Sequence, residues 1–212
     1  MKKLILLAIT ALLAFQNLFA QAVFRHVTSA ANTGVSGGTQ AHITLLDHPR
    51  LNGNPNAIIF ILPNYNLNGA DAAGVDYLQN AGVWYNGSRW TIFNQNTKAA
   101  MPLSMTFNIL VAPPGNPNCF TVTATKANIT AHGVPNGMQI DHPATNGKTD
   151  AMLLVTQNWS RVYNDASQLV TYANGKWSIS NNGYMAYWRG ETTDTRGLMP
   201  EGARFNVMVI KP

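Results

Sequence analysis

Hydrophobic residues fall along this chain in short runs and alternations of strand length, and the pattern is written twice. Residues 45–66 read LLDHPRLNGNPNAIIFILPNYN and residues 139–160 read QIDHPATNGKTDAMLLVTQNWS, aligned without a gap at a shift of 94. Two further blocks recur in the same order. Residues 83–94 match 170–181 at a shift of 87, and residues 101–111 match 199–209 at a shift of 98. Three ordered blocks indicate a tandem duplication. The run Ala57 to Leu62, between Pro55 and Pro63, predicts a strand buried on both faces, with Ala151 to Val155 as its counterpart. These two strands are expected at the centre of each core. Phe107, Ile109 and Val111, and Phe205, Val207 and Val209, recur at the two-residue period and predict a half-buried final strand in each copy.

A hairpin is predicted within the second block. Four residues separate Tyr85 from Trp90 and Tyr172 from Trp177, and an Asn-Gly pair lies in each interval. Asn-Gly favours tight turns because both residues tolerate positive φ. The pair slides by one position between copies while the interval holds, so the register is expected to be preserved. Trp90 with Ile92, and Trp177 with Ile179, then share one face by the two-residue period. No stretch shows a convincing helical period. The fold class is therefore all-β, with two tandem homologous repeats, each a small β-sandwich or β-barrel. One continuous double barrel with shared strands remains open on the sequence.

The polar pattern adds the boundaries. Lys2 and Lys3 precede the apolar run LILLAITALLAF, and Leu18-Phe19-Ala20 offers a small residue before Gln21. This is the pattern of a secretory signal peptide over residues 1–20, with cleavage near Ala20 and secretion of the remainder. The run is too short for a comfortable membrane span. The expected divisions are a first repeat at 21–112, a proline-rich linker at 113–118 and a second repeat at 119–212. Loss of Lys2 and Lys3 takes the formal charge from +5 to +3, and only 11% of residues are charged. No basic stripe of the kind nucleic acid requires is present. The single Cys119 excludes an internal disulfide, and its sequence neighbours leave its role undefined.

The Asp-His-Pro and Thr-Asn-Gly stretch (141–147), Val155-Thr156-Gln157-Asn158-Trp159, Tyr85 to Ile92, and Met199 to Val209 together resemble an uncharacterised repeat domain of secreted bacterial proteins. The resemblance covers nearly all of the chain beyond Ala20. It implies a β-rich extracellular module, often in tandem, and carries no catalytic residue. The first copy departs from it at Leu62-Pro63-Asn64-Tyr65, the second by an insertion before Met199.

Positions shared by both copies are those the fold needs or those a duplicated site needs. Asp47-His48 and Asp141-His142 are candidate metal ligands, since a carboxylate beside an imidazole suits a cation. The same pairs also suit an Asx-type turn before proline. A closed zinc site wants about four ligands, which are scarce here. Calcium fits the plentiful Asp, Asn and carbonyl oxygens better, and no other cofactor is expected. No nucleophile elbow, zinc-protease motif or phosphate loop occurs. The candidate ligand-binding residues are Trp84, Asn158 and Trp159, with Tyr184, Tyr187, Trp188 and Arg189 of the insertion. Aromatic faces beside amides and Arg suit polysaccharide, the ring covering the apolar sugar face. The leading expectation is a secreted, non-enzymatic module for glycan or another cell-surface component, with avidity between duplicated weak sites. A hydrolase with a composite Asp47, His48, Asp141, His142 site and a structural or adhesive surface protein are the alternatives.

Overall fold

The structure, a computed structural model, describes residues 21–65, 75–182 and 197–210. Residues 1–20, which the sequence reads as a signal peptide, and the candidates Tyr184, Tyr187, Trp188 and Arg189 lie outside the described residues. The strands of the first repeat are β1 (Ala22–Val27), β2 (Ile43–Leu45), β3 (Ile59–Asn64), β4 (Ala81–Tyr85), β5 (Trp90–Asn94) and β6 (Thr106–Val111). Those of the second are β7 (Cys119–Thr123), β8 (Gly137–Gln139), β9 (Met152–Asn158), β10 (Gln168–Ala173), β11 (Lys176–Asn181) and β12 (Arg204–Ile210). One helix, α1 (Lys126–His132), follows β7.

The duplication is visible strand for strand. β1-β6-β3 in the first repeat corresponds to β7-β12-β9 in the second, and β2-β5-β4 to β8-β11-β10. In each repeat the two sheets bury one core between them. Ile59, Phe107 and Ile109 of one sheet meet Val83, Trp90 and Ile92 of the other. In the second repeat Phe205 and Val207 meet Met138 and Ile179. The hairpins keep register as the sequence predicts, pairing Tyr85 with Trp90 and Tyr172 with Trp177. Both indoles act as braces. Trp90 Nε1 donates to the Asn54 carbonyl and Trp177 Nε1 to that of Lys148, each at 2.7 Å.

The repeats are joined by a strand pair. β4 lies parallel to β9, so β2-β5-β4 and β9-β12-β7 fuse into one six-stranded sheet. Each repeat is thus a two-sheet sandwich sharing a sheet with its neighbour, and among the described residues no sheet closes into a barrel. The equivalent pairing of β10 with β3 is not made, and β3 shows why. Its outer edge is met by side chains of the second repeat: Asn206 Nδ2 donates to the Ile59 carbonyl at 2.9 Å, and Ile61 N–H donates to Thr156 Oγ1 at 3.2 Å. Alternate residues present their backbone groups to the same edge, so Pro63 follows there with no N–H to offer. Proline suits such an edge. Gln157 holds the corresponding place in β9 and pairs with Gly82.

Three expectations need correction. β3 and β9 are not buried on both faces: Leu62 is 64% exposed and Met152 54%. β3 is an edge strand beside β6, whereas β9 is interior, between β4 and β12 of the six-stranded sheet. β12 is buried on both faces, against the alternation of its sequence, because the first repeat covers its outer side. Phe60, Ala112, Cys119 and Met208 form that contact. Burial there raises the Cys119 thiol pKa, which keeps it protonated and weakly nucleophilic. Finally, α1 carries no helical period because none of its residues is buried. Its signals are local: a Thr125/Asn128 capping box at one end and left-handed Gly133 at the other.

Candidate functional site

The β4–β9 junction creates a surface that neither repeat has alone. Val83 pairs with Asn158, and Trp159 N–H donates to the Val83 carbonyl at 2.8 Å. Trp84 and Trp159 are therefore laterally adjacent, on the face opposite the buried Val83. Phe93 and Tyr163 complete the group. Phe93 meets Trp159 edge to face at 5.7 Å and Tyr163 at 6.0 Å, and Trp159 lies 4.6 Å from Tyr163. Such tilted contacts hold rings rigidly. Trp84 and Trp159 are half-buried and Tyr163 is 43% exposed.

Gly82 makes room for this arrangement. A Cβ there would lie 2.7 Å from the Phe93 ring and 2.8 Å from the Gln95 amide. The second copy has Leu169 at this place, where Phe93 is replaced by the smaller Ser180. Gly82→Ala is expected to displace Phe93, lower stability by about 1 kcal/mol and change tryptophan emission. Thermal denaturation followed by fluorescence measures both, and an unchanged spectrum would refute the role given to Gly82.

A cleft of about 880 Å³ opens beside the rings, lined by Trp84, Asn158, Trp159, Arg161 and Arg204 among others. Trp84 and Trp159 also border a smaller pocket of about 110 Å³, with Phe93, Tyr163 and His42. Burial lowers the His42 pKa and raises that of Tyr163, so both are neutral near pH 7. The cleft wall is held by polar contacts. Arg204 Nη2 donates to Asn158 Oδ1 at 3.1 Å and to the Trp159 carbonyl at 2.5 Å. Asn158 Nδ2 in turn donates to Asn206 Oδ1 at 2.9 Å. Asn158 is only 7% exposed, and its amide chiefly positions the wall.

The Asp-His-Pro pairs occupy matching turns, one per repeat. Asp47 Oδ1 accepts from Asn52 Nδ2, and Asp141 Oδ1 from Asn146 Nδ2, both at 2.7 Å. His48 Nδ1 accepts from Arg50 N–H and His142 Nδ1 from Ala144 N–H. That contact occupies the Nδ1 lone pair and places the neutral ring's proton on Nε2. Each imidazole stacks on a ring of its repeat's first strand, His48 on Phe24 of β1 at 4.2 Å and His142 on Phe120 of β7 at 3.6 Å. Left-handed Gly53 and Gly147 complete the turns, at φ 68° and 70°. Each carboxylate faces a cation of the following hairpin: Asp141 meets Lys176 at 2.6 Å, and Asp47 meets Arg89 at 3.9 Å. The Lys176 bond, then the Asn146 bond, hold the Asp141 carboxyl below its ordinary range. Burial and nearby Lys148 lower the His142 pKa. Among the described residues no three His, Cys, Asp or Glu side chains gather as a metal cluster. The geometry gives these four residues a turn-building part.

Of the sequence candidates, the structure brings together Trp84, Asn158 and Trp159. Sequence reasoning missed Phe93, Tyr163, Arg161 and Arg204. Two had a readable signal: Phe93 stands opposite Ser180 and Arg204 opposite Thr106 when the copies are aligned, so both are unduplicated, as Trp84 is.

Fold and site define an all-β tandem-repeat protein with an aromatic cleft at the repeat junction. The family model "Domain of unknown function (DUF7452)" matches the chain over residues 8–111 and again over 88–209, and the chain belongs to this family. No curated protein and no solved structure matches it. No helix among the described residues is long and apolar enough to cross a membrane.

Proposed function

We propose that this chain is an exported, non-enzymatic module that binds a glycan or another cell-surface component at the repeat junction. The observation that carries the reading is the placement of Trp84 and Trp159 side by side on the rim of the cleft, with Tyr163 packed against Trp159. Half-exposed rings offer a flat apolar surface to the C–H face of a sugar. Hydroxyl and guanidinium groups nearby, from Thr121, Thr123 and Arg161, suit its hydroxyls, with Asn158 holding the wall in place. Export rests on the first twenty residues of the sequence. Among the described residues these rings come together once, so the reading involves one junctional site rather than two repeated ones.

Titration of intrinsic tryptophan fluorescence with soluble polysaccharides and cell-wall fragments, with and without calcium, tests this. A saturable shift is expected, with one site per chain. Trp159→Ala is expected to weaken binding by about 2 kcal/mol, roughly thirtyfold in Kd, with Trp84→Ala close behind. A flat response across the panel would transfer weight to an adhesive or structural role. Calcium dependence would return Asp47 and Asp141 to consideration as ligands.

A further inference from the structure

The cleft has a pronounced charge imbalance. Among the described residues its lining includes two guanidinium groups, Arg161 and Arg204, and no carboxylate. Neither arginine takes part in the ion pairs found among the described residues, which join Arg89 to Asp47 and Lys176 to Asp141. The nearest acidic residue in sequence, Glu201, is exposed and accepts from the Lys126 N–H instead. Arg204 is fixed by Nη2 to Asn158 and the Trp159 carbonyl, both neutral acceptors, and its buried Nε has no partner at all. A partly buried cation normally has a counter-charge, because desolvation is costly without one. Here desolvation lowers the Arg204 pKa with nothing opposing it. Arg161 projects from a left-handed turn residue, φ 70°, immediately after the Trp159-Ser160 wall.

We infer that the cleft takes an anionic polysaccharide, a carboxylate or sulfate on the sugar meeting Arg204 and Arg161 while its ring lies on Trp84 and Trp159. This rests on the glycan reading of the same site and adds the ligand's charge. Arginine suits the role because its planar fork pairs with such oxyanions. Because one guanidinium is held by the Trp159 backbone carbonyl, charge is fixed beside the residue that carries a stacking ring, and an uncharged sugar satisfies only the ring.

The test compares four probes on the full chain: a polygalacturonate oligomer, its methyl ester, dextran and dextran sulfate. An anionic probe is expected to bind about tenfold or more tighter than its neutral parent at low salt, with the advantage shrinking as salt rises. The pair showing the larger advantage identifies carboxylate or sulfate as the group recognised. Arg161→Asn, which suits a left-handed position, is expected to weaken the anionic probe far more than its neutral parent and so remove much of that advantage. Arg204→Met should remove the rest, its folding checked by thermal denaturation because Arg204 also braces Asn158. Equal affinity for charged and neutral forms would overturn the inference and leave the glycan reading standing. An anionic preference untouched in Arg161→Asn and in folded Arg204→Met would overturn it too. Absence of binding to all four probes would overturn both.

Discussion

Replacing Asn206 by alanine is expected to destabilise the protein by about 3 kcal/mol and to loosen one repeat from the other. Asn206 is fully buried in the middle of β12. Its Oδ1 accepts from Asn158 Nδ2 at 2.9 Å, and its Nδ2 donates to the Ile59 carbonyl, also at 2.9 Å, across the repeat interface. Removing the amide leaves a buried carbonyl on the β3 edge and a buried donor on Asn158. Each such orphan costs about 1–3 kcal/mol, and the lost volume adds a small cavity. The control is Asn108→Ala at the matching place in the first repeat. There the amide accepts from Asn64 at 3.1 Å, within its own repeat, and is half-buried. Its loss should be near 1 kcal/mol, the size of an ordinary hydrogen bond. Urea denaturation of both variants decides the matter. Equal losses would mean that Asn206 contributes nothing special to the junction.

Acid should weaken the fold well before its carboxylates titrate. His26 is buried, its Nε2 is 2.8 Å from Thr44 Oγ1, and desolvation lowers its pKa from 6.5 to about 4. Between those values the unfolded chain binds a proton that the folded chain refuses. Stability is therefore complete above pH 6.5 and falls as pH drops, by up to about 3 kcal/mol near pH 4. His42, His132 and His142 are shifted in the same direction by burial and deepen the loss in the same window. The Asp141 contribution has the same sign but acts lower, since its carboxyl lies below 3.8. Denaturation midpoints across pH 4.5–7.5 measure the slope, and His26→Gln should flatten much of it. An identical slope in the variant would assign acid sensitivity elsewhere.

Much of the fold was legible because duplication supplies its own comparison. The Tyr–Trp hairpin registers and the repeated turns follow from blocks that recur in sequence, and local turn chemistry fixes them. What was illegible depends on partners far away. The run Ala57 to Leu62 reads as doubly buried because sequence does not reveal that β3 ends a sheet, although Pro63 in place of Gln157 was a visible hint. Helix α1 is too short and too exposed to leave a period. For the site, Trp84 stood out as unduplicated, while Trp159 became its neighbour only through the parallel pairing of strands more than seventy residues apart. Phe93 and Arg204 could have been found by the same comparison of copies. Tyr163 lies in the variable loop, where the copies offer no alignment to compare.

The parallel joint between β4 and β9 also makes ligand and architecture interdependent. The wall formed by Trp84 from one repeat and Trp159 from the other exists only while the halves are docked, so a molecule seated across it acts as a clasp. By mass action such a ligand raises resistance to separation by RT ln(1 + [L]/Kd), and its loss relaxes the same seam. Severing the chain between the repeats would thus divide the cleft itself, and either fragment would inherit half a wall.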